Sequence, residues 1–211
     1  MTSSNVNQLV VGFDLDMTLV DSAEGIAEAL VYVCAQHGVA IEKSDALSTI
    51  GLPLDVVFPM WLPDLPYEQL LDEYRSHYGQ FGIPKSLAMK GAAEALAAVK
   101  DRGGKTVVVS AKKADFVQRV LDVVQFEVDA IYGYLFAEKK GDVLREEGAQ
   151  VYVGDHPGDI RAARACEAVA VAVATGPTTF EELQTAGPDV LLHDLTEFPA
   201  WLETFSPPAV H

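Results

Sequence analysis

Residues 9–22 read Leu9-Val10-Val11-Gly12-Phe13-Asp14-Leu15-Asp16-Met17-Thr18-Leu19-Val20-Asp21-Ser22, and the fold is inferred from this segment outward. Its apolar, β-branched beginning is typical of a buried strand bounded by Gly12, and Asp14 and Asp16 follow where that strand ends. Alternating residues of an extended chain point to opposite faces, so the two carboxylates share a site only if the backbone turns after Asp14. Ligands of open α/β sheets bind outside the carboxyl ends of the strands, and this acid pair therefore marks a candidate site.

Two other interpretations of the acid pair compete with a functional site. Asp and Thr side chains often bond their own backbone in a solvated turn, and that reading stays open at this point. A calcium loop would use Asp14, Asp16 and Thr18 as its first ligands, but its turn glycine would fall at Leu19 and its closing glutamate at Gly25. The calcium loop is therefore excluded.

Length and charge limit the classes of protein to consider. The chain has 211 residues, of which 49% are hydrophobic, enough for one domain or for a core with a smaller inserted domain. Its formal net charge of −16 argues against nucleic acid and against an anionic membrane as partners. A small anion could still bind at a local positive site.

The remaining composition predicts a cytoplasmic protein. Cys34 and Cys166 are too few for a disulfide framework and lie in helical patterns, so we expect buried free thiols. The first eight residues lack the basic start and apolar core of a signal peptide, and no apolar run approaches the roughly 18 residues of a membrane span. We expect a monomer or a homodimer.

A helical module is predicted directly after the first strand. A helix should run from Ser22 to about His37 and another from Tyr67 to Tyr78, and no strand is expected from residue 41 to residue 84. The helix breakers of this segment are Pro53, Pro59, Pro63 and Pro66. The predicted division is a core at residues 1–21 and 85–211 and a helical cap at residues 22–84.

From Gly91 onward strands and helices alternate, which predicts an α/β fold with a mostly parallel sheet covered by helices on both faces. The predicted strands are Lys105–Val109, Asp129–Tyr132, Gln150–Val153, Ala168–Val173 and Val190–Leu192. The predicted helices are Ala92–Asp101, Asp115–Val124, Gly141–Glu147, Ile160–Cys166 and Leu195–Phe205. The tail Ser206–His211 is expected to be disordered.

Polar residues follow two further strands of this sheet. Ser110 ends the strand 105–109 and is followed by Ala111 and Lys112, and the strand 150–153 runs into Gly154-Asp155-His156-Pro157-Gly158-Asp159. Between them a helix opens on Lys139-Lys140-Gly141-Asp142. Because parallel strands end at the same edge, these residues should join Asp14 and Asp16.

With these four motifs in this order, the chain resembles the haloacid-dehalogenase-like hydrolase superfamily. The motifs are Asp-x-Asp-x-Thr, a strand-ending Ser, a Lys that opens a later helix, and Gly-Asp-x-x-x-Asp. The cap between the first two motifs is similar to that of the phosphoglycolate phosphatase and β-phosphoglucomutase branch. The resemblance covers residues 9–205 and implies a Rossmann-like core.

The resemblance implies a Mg²⁺ cofactor and a nucleophilic Asp14. The ligands would be the carboxylates of Asp14 and Asp155 with the backbone carbonyl of Asp16, while Asp159 would hold a metal-bound water or orient the ligands. A phosphate ester repels carboxylates, so an aspartate nucleophile needs a cation and hydrogen-bond donors beside it. The reaction would pass through an aspartyl phosphate.

Residues at the other motifs are predicted to hold the phosphorylated substrate. Ser110 and Lys140 are assigned to catalysis and phosphate binding, and Lys140 fits the family spacing to Leu144 better than Lys139 does. Asp16 would act as acid and base, which favours phosphoryl transfer over dehalogenation because halide leaves without a proton. The residues predicted to contact substrate are Thr18, Ser110, Ala111, Lys112 and Lys140.

Several departures from the family pattern bear on the substrate. Met17 replaces the usual glycine, which tolerates positive φ where methionine is not expected to. Leu54 or Asp55 stands where the mutase branch has a phosphate-binding arginine, and the apolar loop Thr49–Leu54 suggests a substrate with little charge beyond its phosphate. Arg75 is expected to cover the helix surface. Trp61 and Tyr67 are expected to pack the cap against the core. His156 is expected to cap a helix or to face solvent.

The sequence therefore predicts a Mg²⁺-dependent phosphatase of a small phosphorylated metabolite. A sugar phosphomutase remains an alternative. A phosphonatase would need a cap lysine for a Schiff base, for which Lys43 is the candidate. A module that keeps the fold only to bind a partner is the alternative from another class of protein.

Overall fold

A computed structural model describes residues 8–206 and centres on β1 (Val10–Phe13). The signal-peptide prediction for the N-terminus and the disorder prediction for residues 207–211 lie outside these residues. All four residues of β1 are buried, and the strand continues through Gly12, which the sequence predicted to bound it. A Cβ on Gly12 would lie 2.5 Å from Leu144, so the missing side chain lets a helix pack closely on the central strand.

In the described residues β1 belongs to a six-stranded sheet in which all neighbouring strands are parallel. The order is β5-β4-β1-β6-β7-β8. The strands are β4 (Lys105–Val109), β5 (Ala130–Tyr132), β6 (Val151–Gly154), β7 (Val169–Val173) and β8 (Val190–Leu192). This topology confirms the predicted α/β fold and brings the ends of β1, β4, β6 and β7 side by side.

Helices cover both faces of the sheet because alternate strand residues are apolar on each. In β6, Val151 and Val153 pack into one hydrophobic core and Tyr152 into the other. The first core includes α5 (Ala92–Asp101), α6 (Ala114–Val124) and α10 (Phe198–Thr204), the last preceded by a 3₁₀ turn (Leu195–Glu197). The second includes α7 (Glu138–Glu146), α8 (Pro157–Ala165) and α9 (Phe180–Ala186).

The segment between β1 and β4 leaves and re-enters the core through paired strands. β2 (Val20–Asp21) and β3 (Leu87–Ala88) are antiparallel. Between them lie the cap helices α1 (Ala23–Gln36), α2 (Lys43–Ser48), α3 (Leu54–Trp61) and α4 (Tyr67–His77), a π-helical turn (Tyr78–Gly82) and a 3₁₀ turn (Ile83–Lys85). Residues 41–84 contain no strand, as predicted; the boundaries of the two domains stay a prediction.

The helices and cysteines differ from the sequence prediction at four points. Pro59, which was predicted to break a helix, lies inside α3. Because proline has no N–H, the Asp55 carbonyl loses its helical hydrogen-bond donor. Both Pro59 and Asp55 are exposed to solvent. Helix α9 was not predicted, and α7 begins three residues earlier than predicted, which places Lys140 within its first turn. Cys34 is buried, but Cys166 is only partly buried.

Among residues 8–206, every helix is too short or too polar to span a membrane.

Candidate active site

Three carboxylates from two central strands meet at the carboxyl edge of the sheet. Asp14 follows β1, Asp155 follows β6, and Asp159 lies in the first turn of α8. One oxygen from each lies within 4.8 Å of the others, and exposure is only 9%, 3% and 5% respectively. The Asp14 N–H donates to the Val153 carbonyl at 2.8 Å, which extends the strand pairing and fixes the nucleophile candidate.

Lys140 lies between two of these carboxylates. Its Nζ donates to Asp14 Oδ1 at 2.8 Å and to Asp159 Oδ1 at 2.7 Å, and the side chain is buried above the Tyr152 ring. Burial alone would lower the Lys140 pKa, but Asp14 and Asp159 raise it well above its ordinary value. The structure thus places Lys140, and not the exposed Lys139, against the carboxylates.

The cluster carries more negative charge than Lys140 compensates. Burial, which Lys140 only partly offsets, raises the pKa of Asp14 from 3.8 to about 7, and burial together with Asp14 raises the pKa of Asp155. With all groups ionised, three carboxylates face one ammonium, so two negative charges are left over. Closely spaced carboxylate oxygens with such an excess fit a hard divalent cation such as Mg²⁺.

Asp16 points away from this cluster and toward the cap. Its Oδ1 accepts a hydrogen bond from Ser22 and lies 3.2 Å from Lys112 Nζ. Lys112 is itself buried and donates to the Tyr78 hydroxyl at 2.9 Å. Asp14 and Asp16 therefore occupy different surroundings, as two carboxylates with different tasks require.

The turn that follows Asp16 forms without glycine. Met17 has a φ of 63°, donates its N–H to the Val20 carbonyl at 2.7 Å, and accepts at its carbonyl from Thr175 Oγ1 at 2.6 Å. The expectation that methionine would not adopt this conformation is wrong. The left-handed backbone costs about 1–2 kcal/mol for an L-residue, and these hydrogen bonds hold it in place.

The residues predicted to contact substrate divide into two groups. Ser110, Ala111 and Lys112 line a cavity above the carboxylates, and Ser110 Oγ accepts from the Lys112 N–H at 3.2 Å, which leaves its hydroxyl proton to donate. Thr18 is fully buried, is not among the lining residues, and donates to Asp155 Oδ1 at 3.0 Å. Thr18 therefore holds a carboxylate of the cluster, and its contact with substrate stays a prediction.

A fourth strand end, which the sequence analysis missed, closes the site. Thr175 and Gly176 follow β7, and a Cβ on Gly176 would lie 1.8 Å from Asp155 Oδ2. The sequence signal that could have revealed this loop is the run of small residues Ala174-Thr175-Gly176 after a buried strand of Val and Ala. The loop thus presses its backbone against the carboxylate cluster.

The cavity has a volume of about 260 Å³ and is roofed by the cap. Leu52, Leu54 and Tyr67 line it, and so does Arg75, which was expected only to cover a surface. His156 also lines it, while its Nδ1 accepts from the Gly158 N–H at 3.0 Å and caps α8, which confirms the capping interpretation. Burial lowers the pKa of His156.

The parallel sheet, with acids, serine and lysine at one edge, defines a hydrolase of the haloacid dehalogenase class. Residues 11–173 match the haloacid dehalogenase-like hydrolase family, and the chain belongs to it. The resemblance inferred from the motifs is confirmed.

Comparison with individual proteins agrees with this family. The chain is 30% identical to a phosphoglycolate phosphatase of Aquifex aeolicus, over 74% of this chain and 79% of the relative. It is 28% identical to a protein of Caldanaerobacter subterraneus named as a putative pyrophosphatase, PpaX, over 87% of this chain and 89% of the relative. A haloacid dehalogenase-like hydrolase from Streptococcus pneumoniae shares the fold, with a TM-score of 0.82, 24% identity, and coverage of 92% and 98%.

Proposed function

We propose that this enzyme is a Mg²⁺-dependent phosphatase that hydrolyses small phosphomonoesters through a phosphorylated Asp14. The observation that carries the proposal is the buried contact of Lys140 with both Asp14 and Asp159 beneath a cavity. The name of the phosphoglycolate phosphatase relative supports a phosphomonoester substrate. Phosphoglycolate is accordingly the first compound to test.

Three side chains would bind and activate the phosphoryl group, and a Mg²⁺ ion held beside them would assist. An Asp14 carboxylate oxygen forms a bond to phosphorus while the ester P–O bond breaks. Lys140 offsets the charge of Asp14 and of the phosphate, and Ser110 donates its hydroxyl proton to a phosphoryl oxygen. Mg²⁺, held by Asp14 and Asp155 with the Asp16 carbonyl and with Asp159 behind them, would supply further positive charge.

Asp16 would complete both halves of the reaction. Its carboxyl group donates a proton to the leaving alkoxide, and its carboxylate then takes a proton from the water that attacks the phosphorus of phospho-Asp14. Water attack releases inorganic phosphate and restores the Asp14 carboxylate. Ser22 and Lys112 would hold Asp16 in place, since both contact its Oδ1.

A phosphomonoester panel, assayed with Mg²⁺ and with a chelator, tests the proposal. Asp14→Asn removes the nucleophile and should lower kcat by about 10³-fold or more while preserving the fold. The control is Asp142→Asn, because Asp142 is exposed and pairs only with Arg145 on the surface of α7. Retained turnover in Asp14→Asn, or equal turnover with chelator, would refute the mechanism.

The phosphonatase, phosphomutase and binding-module alternatives each predict a different experimental result. The phosphonatase candidate Lys43 is exposed, pairs with Glu24 and is not among the cavity-lining residues, so the structure does not favour a Schiff base there. A phosphomutase would convert a sugar phosphate faster than it released phosphate. A binding module would show no turnover on the whole panel.

A further inference from the structure

Arg75 is a cap residue that lines the cavity opposite the catalytic floor. It lies on α4, and its Nη2 donates to the Tyr134 hydroxyl at 2.8 Å. The guanidinium carbon also lies 5.3 Å from the centre of the Tyr134 ring. The hydrogen bond and the cation–π contact hold the guanidinium in one orientation across the gap between cap and core.

Tyr134 is itself fixed by the core. Its N–H donates to the Lys112 carbonyl at 3.0 Å, and its backbone has a φ of 60°. A non-glycine residue rarely adopts this conformation, and such strain persists only where surrounding contacts enforce it. The loop after β5 therefore fixes the backbone of Tyr134, and the exposed Tyr134 ring lies beside Arg75.

Arg75 differs from the lysines of the same cavity in its charge balance. Lys140 contacts Asp14 and Asp159, Lys112 contacts Asp16, and Lys113 pairs with Asp115 at 2.8 Å. Within residues 8–206, no carboxylate oxygen lies within 4.0 Å of the Arg75 guanidinium. Its positive charge is therefore available to a ligand, in a protein whose net charge is −16.

The walls around Arg75 would strengthen its attraction for an anion. Leu54, Leu71 and Tyr74 line the same cavity, and apolar walls reduce the screening of charges by water. A guanidinium offers parallel N–H donors that fit a carboxylate or a phosphoryl group in a bidentate manner. The nearby Asp55 carboxylate also lines the cavity and opposes this attraction.

We propose that Arg75, oriented by Tyr134, determines specificity by binding an anionic group at the far end of the leaving group. The substrates would be phosphomonoesters that carry a carboxylate at that end. This inference rests on the proposed phosphatase function and names the substrate class of the same cavity. It departs from the sequence expectation of a substrate with little charge beyond its phosphate.

Matched substrates test this role separately from catalysis. The pair is 2-phosphoglycolate and ethyl phosphate, which differ in a carboxylate replaced by a methyl group; longer phosphooxy carboxylates and alkyl phosphates extend the series. Wild type should prefer the carboxylate of at least one pair. Arg75→Gln should lower the kcat/KM ratio of that pair by about tenfold or more, since a charged hydrogen bond is lost.

Further variants keep the test specific to the guanidinium. Arg75→Lys, which keeps the charge without the planar fork, should retain part of the preference, and Asp55→Asn should increase it. Arg161→Gln is the control, because Arg161 pairs with Glu138 on the surface and is not among the cavity-lining residues; it should leave the ratio unchanged.

Each outcome has one meaning. Wild-type turnover with no preference for carboxylates at any length, or an unchanged ratio in Arg75→Gln, would overturn the inference and leave the phosphatase proposal intact. Absence of Mg²⁺-dependent turnover across the whole series would refute the proposed function itself, and the inference with it.

Discussion

The Asp155 carboxylate is held in a space that fits it closely. Thr18 donates to its Oδ1, and the backbone of Gly176 leaves no room on the Oδ2 side even for a methyl group. A carboxylate that must contact a cation is most useful when it cannot rotate away. The glycine after β7 is thus a requirement of the site, although it carries no functional group.

We expect Gly176→Ala to lower phosphatase kcat by about 10–100-fold, because the new Cβ would displace Asp155. The control is Gly148→Ala, since a Cβ on Gly148 would contact nothing within 4 Å. Its φ of 70° should cost about 1 kcal/mol of stability without affecting the site. Steady-state kinetics and urea unfolding of both variants check this. Wild-type turnover in Gly176→Ala would show that the Asp155 position is not critical.

The roles of residues that belong to a sequence motif could be predicted from the sequence. The roles that depend on contacts between distant segments could not. Asp14 and Asp155 follow strands whose patterns are visible, so their meeting follows from the parallel topology. Thr18 belongs to a motif, but only the fold shows that its hydroxyl faces Asp155. Arg75 faces the cavity because α4 packs over the loop that carries Tyr134, and these segments are 59 residues apart.

Both edge strands of the sheet are short and are joined to their neighbours by an aspartate. Asp129, just before β5, accepts from the Thr106 N–H at 2.7 Å and from Thr106 Oγ1 at 2.9 Å. Asp189, just before β8, accepts from the Ala170 N–H at 2.8 Å. Each carboxylate accepts a hydrogen bond from an N–H of the neighbouring strand, just before the three-residue edge strand begins.

We expect Asp129→Asn to lower the free energy of unfolding at pH 7 by about 0.5–1 kcal/mol, because a charged acceptor is lost at an exposed position. The Thr106 N–H lowers the pKa of Asp129 below 3.8. A carboxyl whose pKa is lower in the folded chain stabilises the fold above its unfolded pKa, and this contribution disappears as pH falls through the folded value. The deficit of Asp129→Asn should therefore shrink in strong acid.

Urea unfolding across this pH range measures the effect, with the exposed Asp64→Asn as the matched control. A deficit that is independent of pH would show that the ionised carboxylate is not the stabilising group.

Elements with a regular pattern could be predicted, whereas those that depend on distant partners could not. The strand Lys105–Val109 and the helix Ala92–Asp101 match to the residue, because the strand is a continuous β-branched run and the helix has an apolar stripe at helical spacing. The β2–β3 pair has only two residues in each strand, and its partners lie far apart in sequence. Helix α9 is short and is defined by its Thr179 and Glu182 capping box more than by an apolar stripe.

Negative charge is concentrated both on the surface of the molecule and in its buried site. Its surface carries most of a net charge of −16, and its site buries Asp14, Asp155 and Asp159 around a single lysine. Salt screens the repulsion between surface charges that lie farther apart than a Debye length, which is about 10 Å at 0.1 M. The buried excess is screened far less, and a bound divalent cation would offset it directly.

Salt and Mg²⁺ should therefore stabilise the protein in different ways. NaCl should raise the free energy of unfolding slightly in wild type and in Asp155→Asn alike. At matched ionic strength Mg²⁺ should add about 2.7 kcal/mol in wild type at 100 times its Kd, and little in Asp155→Asn. Because burial raises the pKa of Asp155, its ionised form is unfavourable in the fold, and Asp155→Asn in chelator should be more stable than wild type at pH 7. Urea unfolding in NaCl, MgCl₂ and chelator distinguishes these terms, and an equal gain from both salts in wild type would mean that the acid cluster binds no cation.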